Sequence, residues 1–124
     1  MTPRIFISGP MTGLPDFNYP AFHRAAAYLR SSGWQVENPA ELFGGDMTLP
    51  RAHYVREDII RLSSCTAMGF LPGWQRSQGA RLEWRIGRAL GLVLYGIVEG
   101  PYGLVPLERQ PAFVRIRNDE TKQG

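Results

Sequence analysis

The fold is decided by residues 67–83, whose sequence is AMGFLPGWQRSQGARLE. The apolar run 67–71 predicts a strand, and a helical pattern follows over residues 78–90. Ser77 is a favoured residue for the N-cap of that helix. A strand, a tight turn and a helix N-terminus in this order leave backbone N–H groups pointing outward. The stretch therefore predicts a βα unit with an anion-binding site at its turn.

Glu83 lies one turn into this predicted helix. Because helical side chains lean toward the N-terminus, its carboxylate would reach over Gly79 and Ala80 into the predicted anion site. A carboxylate is unfavourable for anion binding alone and useful for catalysis, whereas the commonest role of a helix glutamate is to face the solvent. Glu83 borders the predicted core face of the helix, which favours the catalytic interpretation. That predicted face consists of Leu82, Ile86, Ala89 and Leu90.

The rest of the chain alternates predicted strands with predicted helices. The strands are predicted at residues 4–8, 34–37, 67–71, 92–98 and 113–117, the helices at 19–31, 51–64 and 78–90, and loops at 9–17, 42–50 and 99–111. We assign residues 1–117 to one domain and residues 118–124 to a disordered tail. This alternation predicts a single-domain, three-layer α/β fold with a parallel sheet of four to five strands. Its ligand cleft would lie beyond the carboxyl ends of the strands.

Composition limits the classes of partner. The net charge of +3 over 124 residues suits a phosphorylated small molecule. The basic residues are scattered, so we do not expect nucleic acid as a partner. Cys65 is the only cysteine, which excludes an intrachain disulfide and favours a reducing compartment. We find no signal peptide or membrane span and expect a cytoplasmic protein. His23 and His53 lack partners at metal-ligand spacing, so we predict no metal and no cofactor.

Asp58 is the second candidate for catalysis. It falls within a predicted apolar helix face that also contains Val55, Ile59 and Leu62. A carboxylate buried there without a partner would be costly. Two interpretations remain open: a structural ion pair with an arginine, or the second member of a catalytic carboxyl pair.

The loop after the first strand is the third candidate. Residues 8–13, Ser-Gly-Pro-Met-Thr-Gly, would cradle a sugar or phosphate with their backbone amides. The loop matches neither the phosphate-binding Walker pattern nor the dinucleotide fingerprint. Trp74, Phe17 and Tyr19 lie in or beside loops, where each would stack on a nucleobase or serve as a lid or core contact.

Four segments together resemble a known family. They are residues 5–13 (IFISGPMTG), 16–22 (DFNYPAF), 38–41 (NPAE) and 71–83. The chain resembles a family of small phage and bacterial proteins that is similar to the nucleoside 2-deoxyribosyltransferase superfamily, and the resemblance covers roughly residues 4–98. It implies a flavodoxin-like fold and cleavage of an N-glycosidic bond.

The resemblance also implies roles for single residues. Glu83 matches the nucleophile that forms a glycosyl-enzyme intermediate, and Asp58 matches the carboxylate that handles the proton of the departing base. Ser77 stands where the 2'-deoxynucleoside 5'-phosphate N-hydrolases have a serine that contacts the 5'-phosphate. The full set that we expect to bind substrate is Ser8, Gly9, Met11, Thr12, Gly13, Asn18, Trp74, Ser77 and Gly79.

The leading hypothesis is therefore an enzyme of nucleotide metabolism, a hydrolase or transferase acting on a 2'-deoxynucleoside 5'-monophosphate through Glu83. One alternative is a non-catalytic protein that binds or senses a nucleotide. Another is a protein-interaction module with a degenerate site. The resemblance implies a homodimer or a higher homo-oligomer.

Overall fold

The computed structural model describes residues 3–45, 48–99 and 103–107 of the chain. The strands are β1 (Arg4–Ser8), β2 (Gln35–Glu37), β3 (Ala67–Phe70), β4 (Val93–Val98) and β5 (Gly103–Pro106). The helices are α1 (Tyr19–Ser31), α2 (Arg51–Ser63) and α3 (Gln78–Ala89). Short 3-10 segments cover Pro15–Asn18, Pro39–Gly45 and Trp74–Arg76.

The strands form a five-stranded sheet in the order β2-β1-β3-β4-β5. Pairing is parallel from β2 through β4, and β5 joins β4 antiparallel. The chain leaves β1 for β2 on one side and then returns to β3 on the other side. The order of strands therefore switches between β1 and β3, and their carboxyl ends border the crevice in which such sheets bind ligands.

Alternating residues of β1 divide the core into two layers, because successive side chains of a strand point to opposite faces. Ile5 and Ile7 pack with α1 on one face of the sheet. Phe6 packs on the other face with Leu62 of α2 and Trp84 of α3. The result confirms the predicted three-layer α/β architecture, with α1 on one side and α2 and α3 on the other.

The predicted loop at 99–111 is wrong over residues 103–106, which form β5. The glycine and proline content of this region is typical of a turn, but the strand is stabilised by antiparallel pairing with β4, from Tyr95↔Pro106 to Val98↔Gly103. The predicted strand at 113–117 and the predicted tail at 118–124 lie outside the described residues.

The predicted core face of α3 is wrong at Leu82, Ala89 and Leu90, whereas Ile86 packs against the core. The buried residues of this helix are Ala80, Trp84 and Gly87, whereas Leu90 is 51% exposed. Leu82 lines a cleft, and Ile86 lines the same cleft at the edge of the core. Hydrophobicity alone pointed to the leucines, but the small residues let the helix approach the sheet closely.

Gly87 marks the closest approach of α3 to β3. A Cβ at this position would overlap Met68 Sδ and lie 3.4 Å from Met68 Cγ. Met68 is fully buried, so its side chain has little room to move. Gly79 in the same helix has only Ser77 Oγ, at 3.9 Å, near such a Cβ.

We therefore expect Gly87→Ala to destabilise the protein by about 1–3 kcal/mol through overpacking. Gly79→Ala is the matched control, since it makes the same change in the same helix. It should be neutral or stabilising by up to about 1 kcal/mol, because alanine favours the helix. Urea denaturation measures both values, and equal stabilities of the two variants would contradict the packing account.

Candidate active site

Glu83 and Ser8 meet at the carboxyl end of β1. Ser8 Oγ donates a hydrogen bond of 2.7 Å to Glu83 Oε1. Ser8 is fully buried as the last residue of β1. The position of Glu83 follows from the start of α3, where Ser77 Oγ accepts a hydrogen bond from the backbone N–H of Ala80 at 3.2 Å. The predicted N-cap is therefore present, and the glutamate one turn later reaches the end of the first strand.

Asp58 of α2 completes a carboxyl pair with Glu83. The two side chains share a hydrogen bond, as the packing of α2 against α3 allows. The hydrogen-bonded partner of Asp58 is thus a second carboxyl group. The guanidinium of Arg61 instead bonds Glu37, with Nη1 to Oε2 at 3.1 Å. This geometry favours the carboxyl-pair interpretation over the structural ion pair.

The pKa values of both carboxyl groups in the pair are raised. Burial raises the pKa of Glu83 well above its ordinary value, and the negative charge of Asp58 raises it further, while the hydrogen bond from Ser8 lowers it. Burial also raises the pKa of Asp58, against the lowering effects of its hydrogen bond with Glu83 and of Arg61. Two coupled carboxyl groups lose their protons in two separate steps that belong to the pair. The pair therefore keeps one proton at pH values where two isolated carboxyl groups would both be ionised.

The carboxyl pair faces a cleft of about 910 Å³ at the carboxyl ends of β1 and β3. Glu83 and Asp58 both line it. The predicted binding residues that also line it are Gly9, Met11, Thr12, Ser77 and Gly79. The structure thus brings together residues from three separate parts of the chain, as the predicted convergence of strand ends requires.

Four of the residues predicted to bind substrate do not line the cleft. Ser8 is behind Glu83, and Gly13 occupies a turn at φ +83°. Asn18 donates from Nδ2 to the carbonyl of Pro10 at 3.0 Å, which ties the loop together. Trp74 is 3% exposed and packs on Phe70, with 4.6 Å between ring centroids. The structure therefore gives Trp74 the core contact that was the alternative to base stacking.

The loop over the cleft holds an unusual backbone. Asp16, Phe17 and Asn18 all have left-handed φ values between 52° and 60°. Each such residue costs roughly 1–2 kcal/mol when it carries a side chain. The hydrogen bond from Asn18 to Pro10 holds the loop in this shape. The loop keeps Met11, Thr12 and Leu14 on the cleft wall.

Sequence reasoning missed several cleft residues. Tyr54 and Arg51 line the cleft on the same face of α2 as Asp58, and Arg76 lines it beside Ser77. Tyr54 and Arg51 precede Asp58 by four and seven residues. This spacing places all three on one helix face and could have identified Tyr54 and Arg51. Tyr19, one of the predicted stacking residues, lines the cleft as well, and its pKa is raised by burial and then by the neighbouring Tyr54 and Asp58.

For the described residues, helix length and apolarity bear on a membrane span, and the grouping of ligand side chains bears on a metal site. Among residues 3–45, 48–99 and 103–107, each helix falls short of the length and apolarity that a membrane span needs. The same part of the chain holds no group of three or more His, Cys, Asp or Glu side chains arranged to bind a metal ion.

The raised pKa of Glu83 predicts a pH-dependent cost in stability. Above the ordinary value of 4.5, the folded protein keeps a proton that the unfolded chain releases, so the free energy of unfolding falls as the pH rises through the folded value. Glu83→Gln removes this titration and still offers hydrogen bonds to Ser8 and Asp58. We expect the variant to be more stable than the wild type at pH 7 by about 0.5–2 kcal/mol, as is common for replaced active-site groups.

Chemical denaturation measures this difference, with about one unfolding midpoint determined per pH unit from pH 4 to pH 8. The advantage of Glu83→Gln should grow with pH over the window above 4.5. Glu99→Gln removes a carboxylate that follows β4, outside the pair and the cleft, and is the control. A wild-type stability that rises with pH in parallel with Glu83→Gln would contradict the shared-proton account.

Comparisons with known proteins agree with this fold. A similar solved structure is the 2-desoxiribosyltransferase from Leishmania mexicana, with a TM-score of 0.59 and 21% identity. The match covers 77% of this chain and 63% of that one, so the chain spans less than two thirds of that enzyme. At this identity the likeness shows the flavodoxin-like fold. A search of curated protein sequences gives no match. The sequence profile of one family matches residues 3–95, and the chain belongs to that family, described as a domain of unknown function, DUF4406.

Proposed function

We propose that the protein cleaves the N-glycosidic bond of a 2'-deoxynucleoside 5'-monophosphate, by hydrolysis or by transfer of the base, with Glu83 as the nucleophile. The observation that carries the proposal is the carboxyl pair of Glu83 and Asp58, which faces the cleft. The fold shared with a 2-desoxiribosyltransferase supports the same chemistry. So does the resemblance that residues 71–83 carry.

The shared proton suits the first step once it has passed from Glu83, whose pKa is raised well above its ordinary value, to Asp58 across their hydrogen bond. One carboxyl group must be ionised to attack C1' of the sugar, and one must carry a proton for the departing base. Glu83 forms a bond from a carboxylate oxygen to C1' as the bond from C1' to the base nitrogen breaks. Asp58 gives its proton to the base, which leaves neutral. The electron pair of the broken bond stays on the base.

The second step reverses the roles. A water molecule, or the nitrogen of a second base, attacks C1' and breaks the ester bond to Glu83. Asp58, now ionised, accepts the proton of the attacking group. The pair returns to its starting state with one proton. Water gives the free deoxyribose 5-phosphate, and a second base gives a new nucleotide.

Phosphate binding is assigned to one end of the cleft. Ser77, Arg76 and Gly79 line this end at the N-terminus of α3, whose dipole and backbone N–H groups favour an anion. Ser77 Oγ accepts from the N–H of Ala80, which leaves the hydroxyl proton free to bond a phosphate oxygen. Arg76 adds a positive charge beside it.

Base binding is assigned to the apolar part of the same cleft. Tyr19, Pro39 and Leu42 line this part. Aromatic and apolar side chains favour the flat faces of a nucleobase, and a stack on one aromatic ring contributes about 1–3 kcal/mol. The sugar would then lie between the two ends, against the carboxyl pair.

The raised pKa of Glu83 favours one second candidate, a protein that binds a nucleotide without turning it over. A protonated Glu83 is a poor nucleophile, so a ligand that left the proton in place would simply stay bound. Thermal stabilisation by a nucleotide without release of base would support this candidate.

Catalysis predicts that wild-type protein releases free base from one or more 2'-deoxynucleoside 5'-monophosphates. Glu83→Gln should reduce release to the background rate because the nucleophile is lost. Asp58→Asn should reduce kcat by about 10²–10⁴, the usual contribution of an acid–base group. Single-turnover chromatography measures the base, and mass spectrometry of the protein detects a glycosyl adduct.

Glu99→Gln serves as the matched control, since it lies outside the cleft and should keep full activity. The proposal of catalysis fails if wild type and Glu83→Gln bind the nucleotides equally well and neither releases base.

The phosphate assignment predicts a selective defect. Arg76→Gln and Ser77→Ala should each raise KM for the 5'-monophosphate by about tenfold to a hundredfold, as expected for loss of a hydrogen bond to a charged group. The same variants should leave KM for the free nucleoside unchanged. Steady-state kinetics with both substrates makes the comparison, and an equal effect on the two substrates would exclude the assignment.

The homodimer or higher homo-oligomer implied by the resemblance stays a prediction. Light scattering on the purified protein measures its mass directly.

A further inference from the structure

Ser8 has a hydroxyl that the proposed reaction leaves without a role. Ser8 is fully buried and does not line the cleft, so its oxygen cannot touch a substrate there. A buried hydroxyl is costly unless it is hydrogen-bonded. The bond that Ser8 makes is to Glu83 Oε1, at 2.7 Å.

The length of this bond, 2.7 Å, lies where the ranges for charged and neutral acceptors meet. Hydrogen bonds from a hydroxyl to a carboxylate measure about 2.5–2.7 Å, shorter than those between neutral groups. Ser8 donates and Glu83 Oε1 accepts, so the bond favours the ionised form of Glu83. Asp58 acts in the opposite direction, because a negative neighbour favours the protonated form.

The backbone of Ser8 is held on the sheet. Ser8 pairs with Phe70 in the register of β1 and β3, and its carbonyl accepts from the N–H of Leu71 at 2.9 Å. The hydroxyl is therefore presented from the end of a central strand. Glu83 reaches it across a flexible side chain that has several rotatable bonds. A fixed donor at one oxygen restricts the rotation of this carboxylate.

We propose that Ser8 is a positioning residue, which holds Oε1 of Glu83 and so leaves Oε2 as the atom that bonds C1'. This inference rests on the proposed function of Glu83. Oε2 forms the ester bond in the first step and is released from it in the second, while Ser8 stays bonded to Oε1 throughout. No atom of Ser8 is transferred.

The test compares Ser8→Thr with Ser8→Val, which have the same shape and differ in one hydroxyl. Threonine keeps the donor and valine removes it. In protein labelled with ¹³C at the glutamate carboxyl carbon, NMR titration follows Glu83, whose signal is assigned by its loss in Glu83→Gln. We expect the pKa of Glu83 to be higher in Ser8→Val than in Ser8→Thr, because only threonine stabilises the carboxylate.

Kinetics gives the second readout. Ser8→Val should lower kcat by about tenfold to a hundredfold, with KM unchanged, since one hydrogen bond to a charged group is lost away from the substrate. The acid limb of its pH profile should move to higher pH. Ser8→Thr should have a kcat and an acid limb closer to those of the wild type.

Different results would overturn the role of Ser8 and the proposed function of Glu83. Equal titration of Glu83 in Ser8→Thr and Ser8→Val would overturn the role of Ser8, whatever the activity. Absence of base release by the wild type would overturn the proposed function, and the titration would still decide the effect of Ser8 on Glu83. If neither β-branched side chain is accommodated in the core, Ser8→Ala against wild type makes the same comparison, because it removes only the oxygen.

Discussion

The hydrogen bond between the carboxyl groups of Glu83 and Asp58 is the interaction on which the rest of the site depends. It joins α2 to α3 at the edge of the cleft and needs a proton between two groups that repel each other when both are ionised. The surrounding structure must therefore hold the groups together against that repulsion. A pair of this kind contributes little to folding at neutral pH, so its position in a cleft indicates a chemical role.

The close approach of α3 to the sheet is what brings Glu83 into place. Ala80 and Gly87 present small surfaces to the core, and the side chain of Met68 fills the space that a Cβ at Gly87 would need. A helix held at this distance directs Glu83 toward the end of β1. There the side chain meets Ser8, and the two residues are separated by 75 positions in the chain. Packing of the helix thus determines the geometry of the reacting group.

The parts of this arrangement that could be predicted are those that follow from local rules. The turn after β3 and the lean of Glu83 depend on neighbours within one helical turn, and Ser77 caps the helix as expected. The bond from Ser8 could not be predicted, because tertiary packing alone brings its hydroxyl to Glu83. The strand β5 escaped prediction for a related reason, since its glycine and proline content resembles a loop and its stability comes from pairing with β4.

A neutral donor beside Glu83 explains how one site keeps both a base and an acid. A cation in the place of Ser8 would lower the pKa of both carboxyl groups, and the proton that the departing base needs would then be lost. Arg61 does lower the pKa of Asp58, but its guanidinium is held by Glu37 at 3.1 Å. Ser8 donates a single hydrogen bond to one oxygen and carries no charge. It therefore eases transfer of the proton from Glu83 to Asp58 by stabilising the carboxylate of Glu83, and it does not lower the pKa of Asp58 as a cation would.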